Sequence, residues 1–173
     1  MPEHPTHPAT VHFPLTTTLL TGGLDAAYFL STYAPTSSVV ASAFKTLDIA
    51  LSPSLFPLLS YYTTILTLLF SAPAVATGAY ELMPLIKRDG FSSKKARTGV
   101  LHAALNDITV VGALYNWWSR RSNPAFIPSN ENILVSTVLA VPATCFAAYL
   151  GGTLVYQYGM GFRGASAKAK KEQ

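Results

Sequence analysis

The chain has 173 residues, of which 50% are hydrophobic and 12% are charged, and its net charge is +4. A soluble domain carries roughly 25% charged residues, so this composition excludes an ordinary soluble protein and favours a membrane protein. The single cysteine, Cys145, excludes an intrachain disulfide. The basic residues are not interleaved with aromatic residues for base stacking, so nucleic acid is not an expected partner.

Apolar residues fall into four blocks, each close to the roughly 20 residues that cross a bilayer core. The blocks lack the alternation of barrel strands, and lipid cannot satisfy an open backbone, so we predict four transmembrane helices. Their predicted bounds are about 13–33, 55–80, 99–118 and 133–156. The predicted fold is an all-α polytopic four-helix bundle that forms one domain over 1–162, followed by a basic, flexible tail at 163–173.

The distribution of basic residues predicts the orientation of this bundle. Four crossings put both termini and the loop Leu82–Thr98 on one side, and that side holds nine of the 12 Lys and Arg residues. The positive-inside rule therefore places both termini in the matrix or the cytoplasm. The loop is also predicted to contact anionic lipid headgroups. Its basic residues are Lys87, Arg88, Lys94, Lys95 and Arg97.

Small residues predict where helices pack closely. In the fourth helix, Ala143, Ala147 and Gly151 recur at a spacing of four, with Gly152 beside them. Such spacing lets helix backbones approach each other. We find no convincing internal repeat, which leaves an inverted-repeat transporter unsupported.

Each ionisable residue inside the membrane is a candidate site because it is costly in lipid. His12 opens the first helix and His102 opens the third, so both lie at a similar depth near the basic side. Asp107 is ~7.5 Å deeper than His102 at the helical rise. A polar cluster is therefore predicted near the basic side, formed by His12, Glu81, His102, Asn106 and Asp107.

Asp25 lies ~20 Å deeper than His12 and is predicted to be an isolated acid near the opposite side. A proton relay needs a chain of titratable groups, and none joins Asp25 to Asp107. Helix packing is therefore the preferred interpretation of Asn106 and Asp107, and a transporter or channel is disfavoured. The proline-flanked His4 and His7 are expected outside the membrane.

Two histidines at equal depth allow axial ligation of a haem, as in other four-helix bundles. The competing and preferred interpretation is that His12 and His102 each hydrogen-bond a neighbouring helix. No phosphate-binding loop, CxxC, HExxH or nucleophile elbow is present, so we predict no catalytic residue and no metal site.

Three motifs spaced along the chain resemble a family of small four-helix membrane proteins, best known from bacteria and catalogued as a domain of unknown function. The motifs are His7-Pro8 with Val11–Pro14, His102 with Asn106, and Gly151–Tyr156 with Gly159 and Gly161. The resemblance implies the four-helix fold and carries no established activity. Histidines at the matching positions have invited a haem-binding suggestion, so haem b held by His12 and His102 stays the alternative.

Chain size, four spans and the basic side also resemble a fungal-type accessory membrane subunit of mitochondrial complex I, the NADH:ubiquinone oxidoreductase of the respiratory chain. This resemblance implies lateral contact with the core and accessory membrane subunits of that complex. It implies the mitochondrial inner membrane, termini in the matrix, phospholipid contacts, no cofactor, and a role in assembly or stability. The leading hypothesis is therefore a non-catalytic accessory subunit, and the alternative is a b-type haem protein in membrane electron transfer.

Overall fold

A computed structural model of the protein describes residues 6–160, and in that range every regular element is helical. The all-α prediction is thus confirmed for these residues, and the predicted tail at 163–173 lies outside them. The α-helices are α1 (Thr6–Thr32), α2 (Ala34–Thr46), α3 (Phe56–Asp89), α4 (Lys94–Arg120), α5 (Asn130–Ile133) and α6 (Val141–Tyr156). A π-helical segment, Leu134–Ala140, joins α5 to α6.

The predicted helix bounds are too short on the basic side. There α1 begins at Thr6, α3 continues to Asp89 and α4 begins at Lys94. Hydropathy reports where a helix is apolar, whereas Lys and Arg have good helix propensity and extend a helix beyond the apolar block. The predicted loop Leu82–Thr98 is therefore mostly helix.

Only a short turn joins α3 to α4. Gly90 ends α3 with φ +65°, a left-handed conformation that glycine adopts without a Cβ penalty. The Ser93 side chain then caps α4 by accepting a hydrogen bond from the Ala96 amide at 3.1 Å. Short α2, which has no buried residue, was missed because its apolar run is too short to read as a span.

The π-helical segment lies just before Pro142. Pro142 has no N–H to donate to the carbonyl four residues earlier, so the preceding turn loses one α-helical hydrogen bond. The backbone from Leu134 to Ala140 takes the wider π-helical form, whereas Pro14, Pro73 and Pro84 lie inside regular α-helix. Such turns shift the register of a helix face by one residue.

Four long helical rods pack side by side around a common axis. They are α1, α3, α4 and a last rod made of α5, the π-helical segment and α6. Helix α1 packs on α3, α3 on α4, and α4 on α6, while the π-helical segment and α6 return to α1. Helices α1 and α4 therefore occupy opposite corners, as do α3 and α6.

Helices α1 and α4 follow the same burial pattern in register, although their sequences form no convincing repeat. His7 is 18 residues from Asp25, and His102 is 18 residues from Arg120. Eighteen residues make about five turns, so each pair lies on one helix face. The exposed positions also correspond: Ala9 with Ala104, His12 with Asp107, Phe13 with Ile108, Thr16 with Val111, Leu20 with Tyr115, and Gly23 with Trp118. The repeat is carried by burial and geometry, and few residue identities are shared.

This correspondence extends to the whole arrangement. The order of neighbours corresponds: α1 lies beside α3 as α4 lies beside α6, and α3 lies beside α4 as the last rod lies beside α1. The two helix pairs are therefore related by an approximate twofold axis that runs along the helices.

Polar side chains face the interior, and large apolar side chains face outward. Buried positions include Thr17, Thr21, Thr64 and Thr67, whereas Leu69 is 63% exposed. Two helical stretches, Pro53–Asp89 and Pro124–Tyr156, are long and apolar enough to cross a membrane. A polar interior with an apolar exterior is the reverse of the soluble pattern and indicates an apolar surrounding medium.

Adjacent glycines of α1 provide a test of this packing. A Cβ at Gly22 would meet Val141 Cγ2 and would lie 2.8 Å from the Ser136 carbonyl oxygen, whereas a Cβ at Gly23 meets nothing within 4 Å. We expect Gly22→Ala to lower the free energy of unfolding by about 1–3 kcal/mol because of overpacking. Gly23→Ala is the matched control and should be neutral or stabilising by up to about 1 kcal/mol. Thermal unfolding in detergent, followed by circular dichroism, measures both, and equal effects would contradict this packing.

Candidate functional site

The far-end cluster consists of Asp25, Ser60, Arg120 and Ser136 and lies at the end of the bundle away from the α3–α4 turn. Arg120 Nη1 is 3.3 Å from Asp25 Oδ1, and both side chains are fully buried. The Ser136 hydroxyl donates to Asp25 Oδ2 at 2.7 Å. The carboxylate is therefore held from two sides, by α4 and by the π-helical segment.

The remaining donors of Arg120 reach two further parts of the chain. Its Nη2 donates to Ser60 Oγ at 2.7 Å and to the Pro57 carbonyl at 2.9 Å. Its Nε donates to the Phe126 carbonyl at 3.0 Å. One guanidinium thus joins α1, α3 and the loop that follows α4.

The loop held by Arg120 is locally strained. Ala125 and Phe126 have φ values of 51° and 54°, which residues other than glycine rarely adopt. The Phe126 ring stacks on Tyr61 at a centroid distance of 4.1 Å. The hydrogen bond from Arg120 and this stacking hold the loop in its conformation.

A second polar contact lies beside the far-end cluster. Asn132 Nδ2 donates to Asn116 Oδ1 at 3.0 Å and to Ser119 Oγ at 2.6 Å. The Asn132 side chain also forms a capping box with Ser129 at the start of α5. These bonds join the end of α4 to the beginning of the last helical rod.

The prediction that Asp25 is isolated is wrong. This prediction ended the third helix at Trp118 and placed Arg120 in the loop that follows. In the structure, α4 continues to Arg120. The matching 18-residue spacings from the two histidines were the sequence signal for this pair.

The histidine cluster consists of His7, Thr77, His102 and Asn106 and lies at the opposite end of the same two helices. His7 Nδ1 lies 3.0 Å from the Ala74 carbonyl oxygen and 3.2 Å from Thr77 Oγ1. The His7 and His102 rings meet edge to face at a centroid distance of 6.1 Å. His7, the second residue of α1, therefore packs into one end of the bundle. The expectation that it lies outside the membrane stays a prediction.

His102 repeats the environment of His7 on the other helix pair. Its Nδ1 is 2.8 Å from the Ala147 carbonyl oxygen, and Asn106 donates to the His102 carbonyl at 2.8 Å. A Cβ at Gly151 would lie 3.2 Å from His102 Cε1.

The matching contact on α3 is tighter still. A Cβ at Gly78 would lie 2.8 Å from His7 Cε1. Each histidine therefore bonds an alanine carbonyl and lies over the glycine four residues later.

Of the predicted polar cluster, the structure joins only His102 and Asn106 by hydrogen bonds. His12 and Asp107 are exposed, and Glu81 is half-buried. His12 lies five residues after His7 and Asp107 five after His102, which turns each about 140° away from its interior histidine. The prediction placed His12 at the depth of His102, whereas His7 lies there, and it omitted this rotation.

The predicted packing residues have different surroundings. Ala147 is 1% exposed and Gly151 packs on His102, while Ala143 is half-buried. At Gly152, the nearest side chain to an added Cβ is Tyr156 of the same helix. The close approach of α4 and α6 is therefore centred on Ala147 and Gly151.

The predicted headgroup residues surround the α3–α4 turn. Lys87, Lys94 and Arg97 are exposed, and Arg88 forms a bidentate bond to Asp89. Lys95 Nζ donates to the Tyr158 carbonyl at 2.8 Å. Four of the five side chains are thus accessible from outside.

The histidine cluster has donor chemistry for a haem but lacks the space for it. A hydrogen bond from each Nδ1 to a main-chain carbonyl leaves Nε2 as the ligating atom, but His102 Nε2 already lies 3.4 Å from the Asn106 amide nitrogen. The imidazole rings, however, contact each other and the glycines Gly78 and Gly151, so a porphyrin would require the helices to separate. His12, the other predicted ligand, is exposed and faces away. Residues 6–160 also contain no group of three His, Cys, Asp or Glu side chains placed to hold a metal ion.

Comparison with known proteins gives one result. The model of the family described as "Predicted membrane protein (DUF2231)" matches residues 3–164. The comparisons with curated proteins and with solved structures give no match.

The buried ion pair makes a sharp prediction for stability. We expect Asp25→Asn and Arg120→Gln each to lower the free energy of unfolding by about 3–5 kcal/mol, because each leaves an unpaired buried charge. Arg121→Gln is the matched control: this guanidinium lies over Trp118 at 3.2 Å and should contribute less than about 1 kcal/mol. Denaturation in detergent of both single variants and the double variant completes a thermodynamic cycle. Additive effects in that cycle would contradict direct pairing.

Proposed function

We propose a structural role for this chain, which belongs to the family described as "Predicted membrane protein (DUF2231)". It is a four-span membrane protein that serves as a non-catalytic accessory subunit in the membrane arm of mitochondrial complex I. The closed and fully paired far-end cluster carries this proposal, because it joins all four helical rods of the bundle and leaves no free group for chemistry.

Four crossings are supported by the packing of α1 and α4. Each has 27 residues and is ~40 Å long, which exceeds the ~30 Å hydrocarbon core. Both run beside the two apolar candidate spans, so they occupy the same depth. Their inward hydroxyl, amide and ionisable side chains lower the mean hydropathy of α1 and α4 without exposing those groups to lipid.

The proposed orientation follows the charges. Basic residues of the α3–α4 turn are accessible at one end, where they can contact anionic phospholipid headgroups. Arg120, at the other end, is fully buried and paired. The positive-inside rule then assigns the turn and both termini to the matrix face of the inner membrane.

A packed subunit fits the interior better than a transport pathway does. Among the described residues, every buried side-chain nitrogen and oxygen has a hydrogen-bond partner. The central cavity of about 20 Å³ is lined by Thr18, Thr21, Thr64, Thr67 and Ser136, among others, and has room for a single water. The assignment to complex I rests on the sequence resemblance, and the proposed role requires no cofactor.

Side-specific labelling tests the four crossings. In a Cys145→Ser background, Ser92→Cys and Ser122→Cys place single thiols at two exposed serines on either side of α4. We expect a membrane-impermeant maleimide to label them from opposite faces, with Ser92→Cys on the matrix face. Labelling of both from one face would mean that α4 does not cross, and would contradict the four-span arrangement.

Native electrophoresis tests the partner. We expect the tagged full-length chain, extracted from inner membranes in mild detergent, to co-migrate with NADH:ubiquinone oxidoreductase activity. Arg120→Gln should reduce the co-migrating fraction because it disrupts the fold, whereas Arg121→Gln should not. If the chain migrates only by itself while the complex has its full size and composition without it, the proposed role is wrong.

A further inference from the structure

Asp107 is an exposed carboxylate in the middle of α4. It lies 13 residues from Lys94 and 13 from Arg120, or ~20 Å from each end of the helix. Among residues 6–160, Asp107 forms no side-chain hydrogen bond and no ion pair. A charged group facing lipid at this depth is costly unless a partner supplies a hydrogen bond or an opposite charge.

An apolar groove begins beside Asp107. Its volume is about 330 Å³, and it runs between α4 and the π-helical segment. Its walls include Ile108, Val111 and Tyr115 on α4, and Val135 and Leu139 on the segment. Asp107 and Tyr115 are eight residues apart, so the groove is about two helical turns long, which suits the ridge of a third helix.

The chain itself presents a complementary helix face. His12 occupies on α1 the position that Asp107 occupies on α4, and it is exposed on the opposite corner of the bundle. Thr16 and Leu20 follow it on the same exposed stripe. Two copies in one membrane share depth and direction, so α1 of one copy can meet α4 of another with these stripes in register.

We propose that a second copy of this chain occupies the groove through its α1 face, and that His12 of one copy donates a hydrogen bond to Asp107 of the next. In this contact Thr16 lies opposite Val111, and Leu20 lies opposite Tyr115. The contact rests on the four-span arrangement of the proposed function, because only there does Asp107 lie in lipid.

Charge selects this contact over the two symmetric ones. Pairing α4 with α4 would bring two Asp107 carboxylates together, and pairing α1 with α1 would leave every Asp107 without a partner. The approximate twofold axis makes the α1 and α4 faces point in opposite directions. Copies therefore associate head to tail, as a heterologous interface.

Self-association of the purified full-length chain tests the pairing. Dissociation constants are measured by fluorescence transfer between labelled copies in lipid nanodiscs and liposomes of neutral phospholipid. We expect Asp107→Asn and His12→Leu each to weaken association at least about tenfold, because a buried hydrogen-bonded pair loses one partner. Asp48→Asn, an exposed acid outside the α1 and α4 faces, is the control and should change nothing.

The exchanged variant, His12→Asp with Asp107→His, supplies the decisive comparison. It restores the pair across the contact, so association should return to within about threefold of the natural chain. Thermal unfolding of each variant confirms that the fold is intact, as expected for exposed positions. Weak association of the exchanged variant, or unchanged association of Asp107→Asn, would overturn the proposal.

Cross-linking gives the orientation and separates this proposal from the proposed function. In the Cys145→Ser background, mixed chains carrying His12→Cys and Asp107→Cys should form disulfide-linked dimers, whereas either chain alone should not. Dimers of one variant alone would show a symmetric contact and refute head-to-tail pairing. If Asp107→Asn reduces co-migration with the respiratory complex but leaves self-association unchanged, another subunit fills the groove. The second-copy proposal then fails while the accessory role stands.

Discussion

The ion pair between Asp25 and Arg120 constrains the whole bundle. A guanidinium with no access to water must have its donors satisfied inside the protein, and here they reach Asp25, Ser60 and two main-chain carbonyls. Burying both charges costs several kcal/mol per ion, so the pair contributes little net stability compared with a well-packed apolar pair. Separating α4 from α1 or from α3 would leave a buried charge without its partners, so the pair disfavours other arrangements of these helices.

The approximate twofold axis explains why such a pair exists at all. Strict symmetry would place two identical side chains opposite each other at the far end, and two like charges there would repel. One acid and one base at equivalent positions convert that repulsion into attraction. The histidines His7 and His102 keep the symmetric form, because neutral imidazoles can meet edge to face without that penalty. Equivalent positions of α1 and α4 thus carry identical residues at one end of the bundle and oppositely charged residues at the other.

Sequence reasoning identified the helical class and the apolar blocks because both depend on local composition. It failed where a result depends on rotation about a helix axis or on where a helix ends. His12 was placed at the depth of His102, yet His7 is the residue that meets His102 in the interior, and His12 lies five residues further along α1. Arg120 was assigned to a loop because hydropathy ends at the Trp118 belt, although the helix itself continues. The π-helical segment before Pro142 shifts the register of the last rod by one residue, which spacing alone does not reveal.

The interior and the surface of this bundle differ in polarity. Buried hydroxyl, amide and charged groups each find a partner, and many large apolar side chains face outward. His12 and Asp107 are ionisable side chains that are exposed at equivalent positions of α1 and α4. Neither the exposed base nor the exposed acid contributes to the packed interior, so the folding of a single chain does not explain their presence at the same depth. A membrane holds every copy at one depth and in one direction, so two copies differ only in their rotation about the membrane normal. The twofold axis places His12 and Asp107 on opposite faces of the bundle. Two copies in the same rotational orientation can therefore bring His12 of one against Asp107 of the next.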